Sequence, residues 1–157
     1  MVENPAPWLD AEEERAWRGF HALRTQLLGH LNRSLLEESG LSGADFEVLV
    51  AVSEAPGKRL RAVELGRALG WEKSRLSHQV TRMESRDLVR REECKDGARG
   101  ADVVLTPLGR RTIKAAAPAQ LAEVRANFID LLTPAQLRTL AEIADVVVRH
   151  LDAQPDE

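Results

Sequence analysis

The chain has 157 residues, 43% of them hydrophobic, which suits one packed domain or one domain with a dimerisation extension and excludes wholesale disorder. No stretch is apolar for long enough to span a bilayer, acids stand at the N-terminus where a signal peptide needs a basic and then an apolar run, and the single Cys94 has no internal disulfide partner; a cytoplasmic protein with no membrane partner is expected. The net charge of -3 hides a bipolar chain, because residues 58–114 hold 15 Lys/Arg against 8 Asp/Glu, a net of +7, and the remainder holds a net of -10. A basic middle suits phosphates, and acidic ends are repelled by them.

After a Pro-containing lead-in over residues 1–9, a first helix is expected from Asp10. Asp10 and Glu13 have the spacing of a capping box, and acids at 12 to 14 suit the positive end of the helix dipole. Trp17, Phe20, Leu23, Leu27, Leu31 and Leu35 recur at three and four, the spacing of one apolar stripe, up to a stop at Gly40. A helix of this length exceeds what one small domain needs, so either a partner subunit or a later helix covers part of it. Ser42 and Asp45 open a second helix whose buried side is Phe46, Leu49, Val50 and Val52 and which stops at Pro56-Gly57. Lys58 to Arg61 reads as a brief strand.

The stretch from Leu60 to Thr106 organises the rest. Val63 to Gly70 forms a helix with Val63, Leu65, Ala68 and Leu69 inward and Gly70 at the left-handed cap, and Trp71 to Arg86 gives a second helix. With Glu72 as N-cap, Trp71 and Leu76 have the spacing of a hydrophobic staple, which fixes the entry angle of that helix. Leu76, Val80 and Met83 form its inward stripe, which leaves Lys73, Ser74, Arg75, Ser77, His78, Gln79 and Arg82 outward or at the edge. A solvated helix face usually mixes signs to make pairs at spacing four, yet no acid stands between Lys73 and Arg82. Arg can bridge guanine O6 and N7, Gln can bridge adenine N6 and N7, and Ser or Lys can hold phosphates, so this face is the candidate DNA reader. Asp87 stands where a helix end favours glycine, a geometry that Asp tolerates less well.

Leu88 to Arg91 then starts a hairpin that turns through residues 95–100 and returns through Val103 to Leu105. Lys95 and Arg99 lie at its tip beside Gly97 and Gly100, with Arg99 expected to enter a minor groove and Asp96 to orient it. Thr106-Pro107 has the N-cap and N1 signature of the next helix, expected to run to Leu132 with a kink at Pro118. Thr133-Pro134-Ala-Gln136 repeats the signature and opens a last helix, with Leu137, Leu140, Ile143 or Ala144, Val147 and Leu151 at helical spacing. This is more apolar surface than a monomeric tail requires, and a dimer interface is the simplest use of it.

In this order the residues resemble the MarR-type transcriptional regulators. The resemblance rests on Leu41-Ser-Gly-Ala-Asp-Phe-Glu-Val-Leu49, Glu64-Leu65, Trp71-Glu-Lys-Ser-Arg-Leu-Ser-His-Gln79, Leu88-Val-Arg-Arg91, the wing from Asp96 to Gly100, Leu105-Thr106-Pro107 with Gly109, and Leu132-Thr133-Pro134. No single piece is specific; the ordered set is. It implies a mainly α winged helix-turn-helix protein over residues 1–157, with dimerisation helices at 10–38 and 108–152 and a DNA-binding region at 42–106. It further implies a homodimer on a palindromic operator, usually repressing it, and a pocket between dimer helices and reader, often filled by a small phenolic or aromatic anion that weakens DNA binding. Trp17, Asp45 and Phe46 lie on helices bordering that pocket, although core and capping roles account for the same residues. Two departures stand out: Ala98 where many relatives carry a wing arginine, and Asp87 where many carry glycine.

Two rival readings remain at this level. A winged helix can serve protein–protein interaction, since fold does not settle function, but interaction cores are depleted in lysine. Cys94 beside Lys95 could be a redox trigger if its thiol pKa were lowered. An enzyme is not expected: there is no H-E-x-x-H, phosphate-cradling glycine loop or G-x-S-x-G, the four His show no metal-ligand spacing, and no cofactor is implied.

Overall fold

Capping chemistry sets most of the element boundaries. The computed structural model describes residues 8–94, 97 and 99–154. Helix α1 spans Ala11–Ser39, with a complete Asp10/Glu13 capping box at its start and Gly40 in the left-handed conformation (φ 69°) at its end. Helix α2 (Gly43–Glu54) opens on the reciprocal Ser42/Asp45 box, and Pro56–Lys58 forms a single 3₁₀ turn into strand β1 (Arg59–Arg61). Helices α3 (Ala62–Leu69) and α4 (Lys73–Glu84) form the helix-turn-helix. Strands β2 (Val89–Glu93) and β3 (Ala101–Leu105) form the wing, α5 covers Pro107–Asn127, and α6 covers Pro134–Asp152.

The three strands make one antiparallel sheet in the order β1-β3-β2. Arg59 faces Val104 and Arg61 faces Asp102 across one ladder, and Val89 faces Leu105 and Glu93 faces Ala101 across the other. The short basic segment before α3 is thus the edge strand of the wing sheet, as its position suggested. One core joins the units: Leu35 and Leu41, Val48, Leu49 and Val52 of α2, Leu65 of α3, Leu76, Val80 and Met83 of α4, Val89, Val103 and Leu105 of the sheet, and Ile113 and Ala116 of α5. The helix-turn-helix is therefore seated on α2 and the three-stranded sheet, and α5 packs on α1 and α2. Among the described residues, no helix is long and apolar enough to cross a membrane.

Two expectations need correction. Val63 and Ala68 of α3 are exposed, because Ala62, Leu65, Gly66 and Leu69 make the inward three-four stripe and Val63 lies one residue, about 100°, off it. Pro118 lies inside the continuous run of α5 at an exposed position, where the carbonyl one turn back can face water. That helix also stops at Asn127, and Ile129–Leu131 is a 3₁₀ turn rather than a continuation.

The ends of the chain carry unburied apolar faces. In α6 no residue is buried, and Ile143, Val146, Val147, Val148 and Leu151 are all more than half exposed. The first half of α1 likewise exposes Trp17 and Phe20, whose rings stack at 6.0 Å.

Candidate nucleic-acid interface

Helix α4 is held from beneath and before. Gly70 closes α3 in the left-handed conformation (φ 63°), and the Trp71 N–H donates to the Gly66 carbonyl at 2.9 Å, completing the turn. Trp71 is buried in the same core as Leu76, which agrees with its role as the wedge before the helix. Glu72 is the N-cap, without a side-chain capping bond. With Leu76, Val80 and Met83 inward, Lys73, Ser74, Arg75, Ser77, His78 and Arg82 are exposed. Arg75 folds back so that its guanidinium lies 4.2 Å from the Trp71 ring centre, a cation–π contact that stiffens a long side chain beside the helix start.

Gln79 departs from the expected outward set. It is 3% exposed, donates its amide N–H to Asp45 Oδ1 at 2.7 Å, and accepts from the Arg82 guanidinium. The reason is positional: residue 79 lies three after Leu76 and four before Met83, so it shares the buried face. Its amide is already committed on both sides and is not presented to a base edge.

Asp45 is the centre of this buried polar group. Its Oδ2 accepts from the Ser42 backbone N–H at 2.9 Å and from Arg86 at 2.7 Å, and Arg86 also donates to the Gly40 carbonyl at 3.2 Å. Burial pushes the Asp45 carboxyl upward, but the Arg86 and Ser42 bonds outweigh it and leave the pKa below the ordinary Asp value. A depressed carboxyl pKa stabilises the fold above the unfolded-state value and loses that contribution as pH falls through the folded one. Wild-type stability is therefore expected to decline below about pH 4, with a shallower decline in Asp45→Asn, read by denaturant unfolding across an acid series. Equal slopes would assign the acid response to other groups.

These bonds also decide where the three tentative ligand residues stand. Asp45 has the capping and core role, Phe46 packs half-buried against the core, and Trp17 sits on the exposed half of α1 with His21 edge-on at 5.4 Å. None of the three lines the open groove beside α4. That groove of about 490 Å³ lies between the end of α1, the start of α2 and α4, lined by Asn32, Arg33, Leu36, Gly43, Glu47 and Arg75 among others.

The wing is braced to α4 by Arg91. Its backbone N–H donates to Glu84 at 2.7 Å, its guanidinium pairs with the same carboxylate, and it reaches the Ser77 carbonyl at 2.8 Å and the Thr81 hydroxyl at 3.2 Å. A second brace crosses the sheet, with Arg59 on Asp102 at 2.8 Å and on Glu92 at 3.1 Å. Periodicity could not reveal either brace, since one depends on how β2 packs on α4 and the other on the register of the sheet. At the tip, Arg99 is exposed between Gly97 (φ 71°) and Gly100 (φ 112°). Lys95, Asp96 and Ala98 lie outside the described residues, and with them the expected Lys95 contact and Asp96 partner.

Cys94 sits at the wing base and is buried, with its S–H donating to Asp102 at 3.4 Å. Burial and the Asp102 carboxylate push its pKa up, which disfavours the thiolate that oxidation needs. The sign is opposite to the lowered thiol pKa on which a redox role depends. Among the described residues no group of three or more His, Cys, Asp or Glu is gathered to hold a metal.

The far end of the wing is tied to α5 by Thr106. Its hydroxyl accepts from the Gly109 N–H at 2.9 Å and donates to the Leu88 carbonyl at 3.1 Å, and Asp87 just before holds a left-handed φ of 57°. Asp thus occupies the conformation that favours glycine, at a modest cost.

Comparison with known proteins agrees with this architecture. A model of the MarR family matches residues 39–100, from the end of α1 through the wing. The transcriptional regulator HosA of Escherichia coli is 34% identical over 101 residues, which is 64% of this chain and 73% of that one. Among solved structures, the MarR family transcriptional regulator AbsC of Streptomyces coelicolor superposes with a TM-score of 0.90 at 42% identity, covering 95% of this chain and 100% of its own. Sco3205, a MarR family transcriptional regulator of the same organism solved in complex with DNA, does so with a TM-score of 0.90 at 38% identity, over 97% of this chain and 94% of its own. With a helix-turn-helix seated on a shared core, a three-stranded wing, and relatives matching both over most of their length, the chain belongs to the MarR family of transcriptional regulators.

Proposed function

We propose that the chain works in the cytoplasm as a homodimer that binds a palindromic DNA operator, represses transcription by occupying it, and is released by a small aromatic or phenolic anion. The observation that carries this reading is the outer face of α4. Lys73, Ser74, Arg75, Ser77, His78 and Arg82 are all exposed and no acid stands among them, while Leu76, Val80 and Met83 anchor the opposite face. Donors and cations without neutralising partners suit the major groove and its flanking phosphates, and Arg99 at the wing tip suits the neighbouring minor groove. That Sco3205, 38% identical, was solved in complex with DNA supports the same use here.

The exposed apolar faces of α1 and α6 support the homodimer, with residues 10–38 and 108–152 as its arms and 42–106 as the reader. A two-fold dimer presents two copies of α4, so a palindromic site follows from its symmetry. Arg33 and Arg75 against Glu47 leave the groove beside α4 with one net positive charge near the reader, which supports release by an acidic ligand. Selection of bound duplexes from the source genome, followed by a screen of aromatic acids for release, tests the reading. A palindromic consensus that an aromatic acid competes away is the expected result. Recovery of duplexes without common sequence would contradict it.

A further inference from the structure

The Asp45, Gln79 and Arg82 side chains form a chain of hydrogen bonds whose direction chemistry fixes. An ionised carboxylate only accepts, a guanidinium only donates, and an amide has one end of each kind. Asp45 therefore requires the Gln79 NH₂ to face it, which leaves the Gln79 carbonyl oxygen facing Arg82. The first two members are 2% and 3% exposed, whereas Arg82 is exposed on the face of α4 that carries Arg75 and His78. Asp45 is itself held by the Ser42 N–H and by Arg86, so the carboxylate has no freedom to turn away. A buried, bonded anchor thus ends on a surface cation.

We infer that Gln79 is a positioning residue, which transmits the fixed orientation of the buried Asp45 carboxylate to the Arg82 guanidinium and so sets base discrimination where Arg82 meets DNA without touching DNA itself. The inference rests on the DNA-reading role proposed above. Arginine loses much rotamer freedom when it docks bidentately on a base. A guanidinium already restrained in the free protein loses less on docking, and the gain is confined to the base pair it reads. Gln79→Met keeps an unbranched side chain of similar shape but removes both ends of the relay.

The test compares base-preference profiles of the full-length protein, read from duplexes selected out of a randomised pool, for wild type, Gln79→Met, Arg82→Ala and the double variant. Arg82→Ala is expected to lower preference at one base pair per half-site by about tenfold. Gln79→Met should lower preference at the same base pair by about two- to tenfold, leaving the other positions as in wild type. The double variant should match Arg82→Ala, because the two residues act as one unit. A wild-type profile for Gln79→Met, or an equal loss at every position, would overturn the relay while leaving the DNA-reading role intact. Failure of the wild type to select any sequence would overturn both. A measurement needing no variant stands beside these: ¹⁵N relaxation at the Arg82 Nε of the unbound wild-type protein should give an order parameter above about 0.6, whereas a freely rotating guanidinium contradicts the relay.

Discussion

Gly109→Ala is expected to destabilise the fold by about 3 kcal/mol or more, because an added Cβ meets a closer atom here than at any other glycine of the chain. A Cβ at residue 109 would lie 2.0 Å from the Leu88 carbonyl oxygen and 3.0 Å from its carbon. Both are backbone atoms, so no side chain can swing aside to relieve the overlap. The approach is close because Thr106 draws the two segments together, its hydroxyl bonded to Gly109 and to the Leu88 carbonyl in turn. Relief requires α5 to move away from the start of β2, which breaks those bonds and opens the core at Ile113. Denaturant unfolding at matched protein concentration reads the effect, since association stabilises the folded form by mass action. A loss below about 1 kcal/mol would mean that the α5 start can slide without penalty.

The second large effect concerns the arms. Ile143→Asp combined with Val147→Asp is expected to leave a folded monomer where the wild type forms the dimer proposed above, and to weaken operator binding by about 10² to 10⁴. Ile143 and Val147 are 56% and 51% exposed in the single chain, so new carboxylates there meet water rather than core. In the dimer the same carboxylates must be desolvated against an apolar partner face, which opposes association. Loss of the dimer turns a bivalent contact with two half-sites into two independent weak ones. Analytical ultracentrifugation gives the association state and duplex titration gives the affinity. A double variant that remains dimeric would place the interface elsewhere.

What the sequence made legible was chemistry local in the chain. The capping boxes at Asp10, Ser42 and Thr133, the glycine cap at Gly70 and the Thr106-Pro107 start each use residues within four positions of one another, and the structure has all of them. The helix-turn-helix and wing were legible for the same reason. Contacts between distant segments were not. Asp45 and Arg86 are 41 residues apart, and only the packing of α2 against α4 brings them together. Gln79 was misread because residue type outweighed position: its spacing from Leu76 and Met83 placed it inward, while an amide suggested a base reader. Val63 shows the converse error, an apolar residue assigned inward although it lies off the stripe of α3.

The central claim is that this surface binds DNA by charge and reads it by sequence, and it is tested most directly by titrating a selected palindromic duplex at rising salt. Two copies of Lys73, Arg75, Arg82 and Arg99 supply cations enough for roughly 6 to 10 phosphate contacts, for which affinity should fall by about 10³ to 10⁵ between 50 and 200 mM salt. The selected duplex should also outbind a scrambled one at every salt concentration. A flat salt response with no preference between the two duplexes would contradict the account.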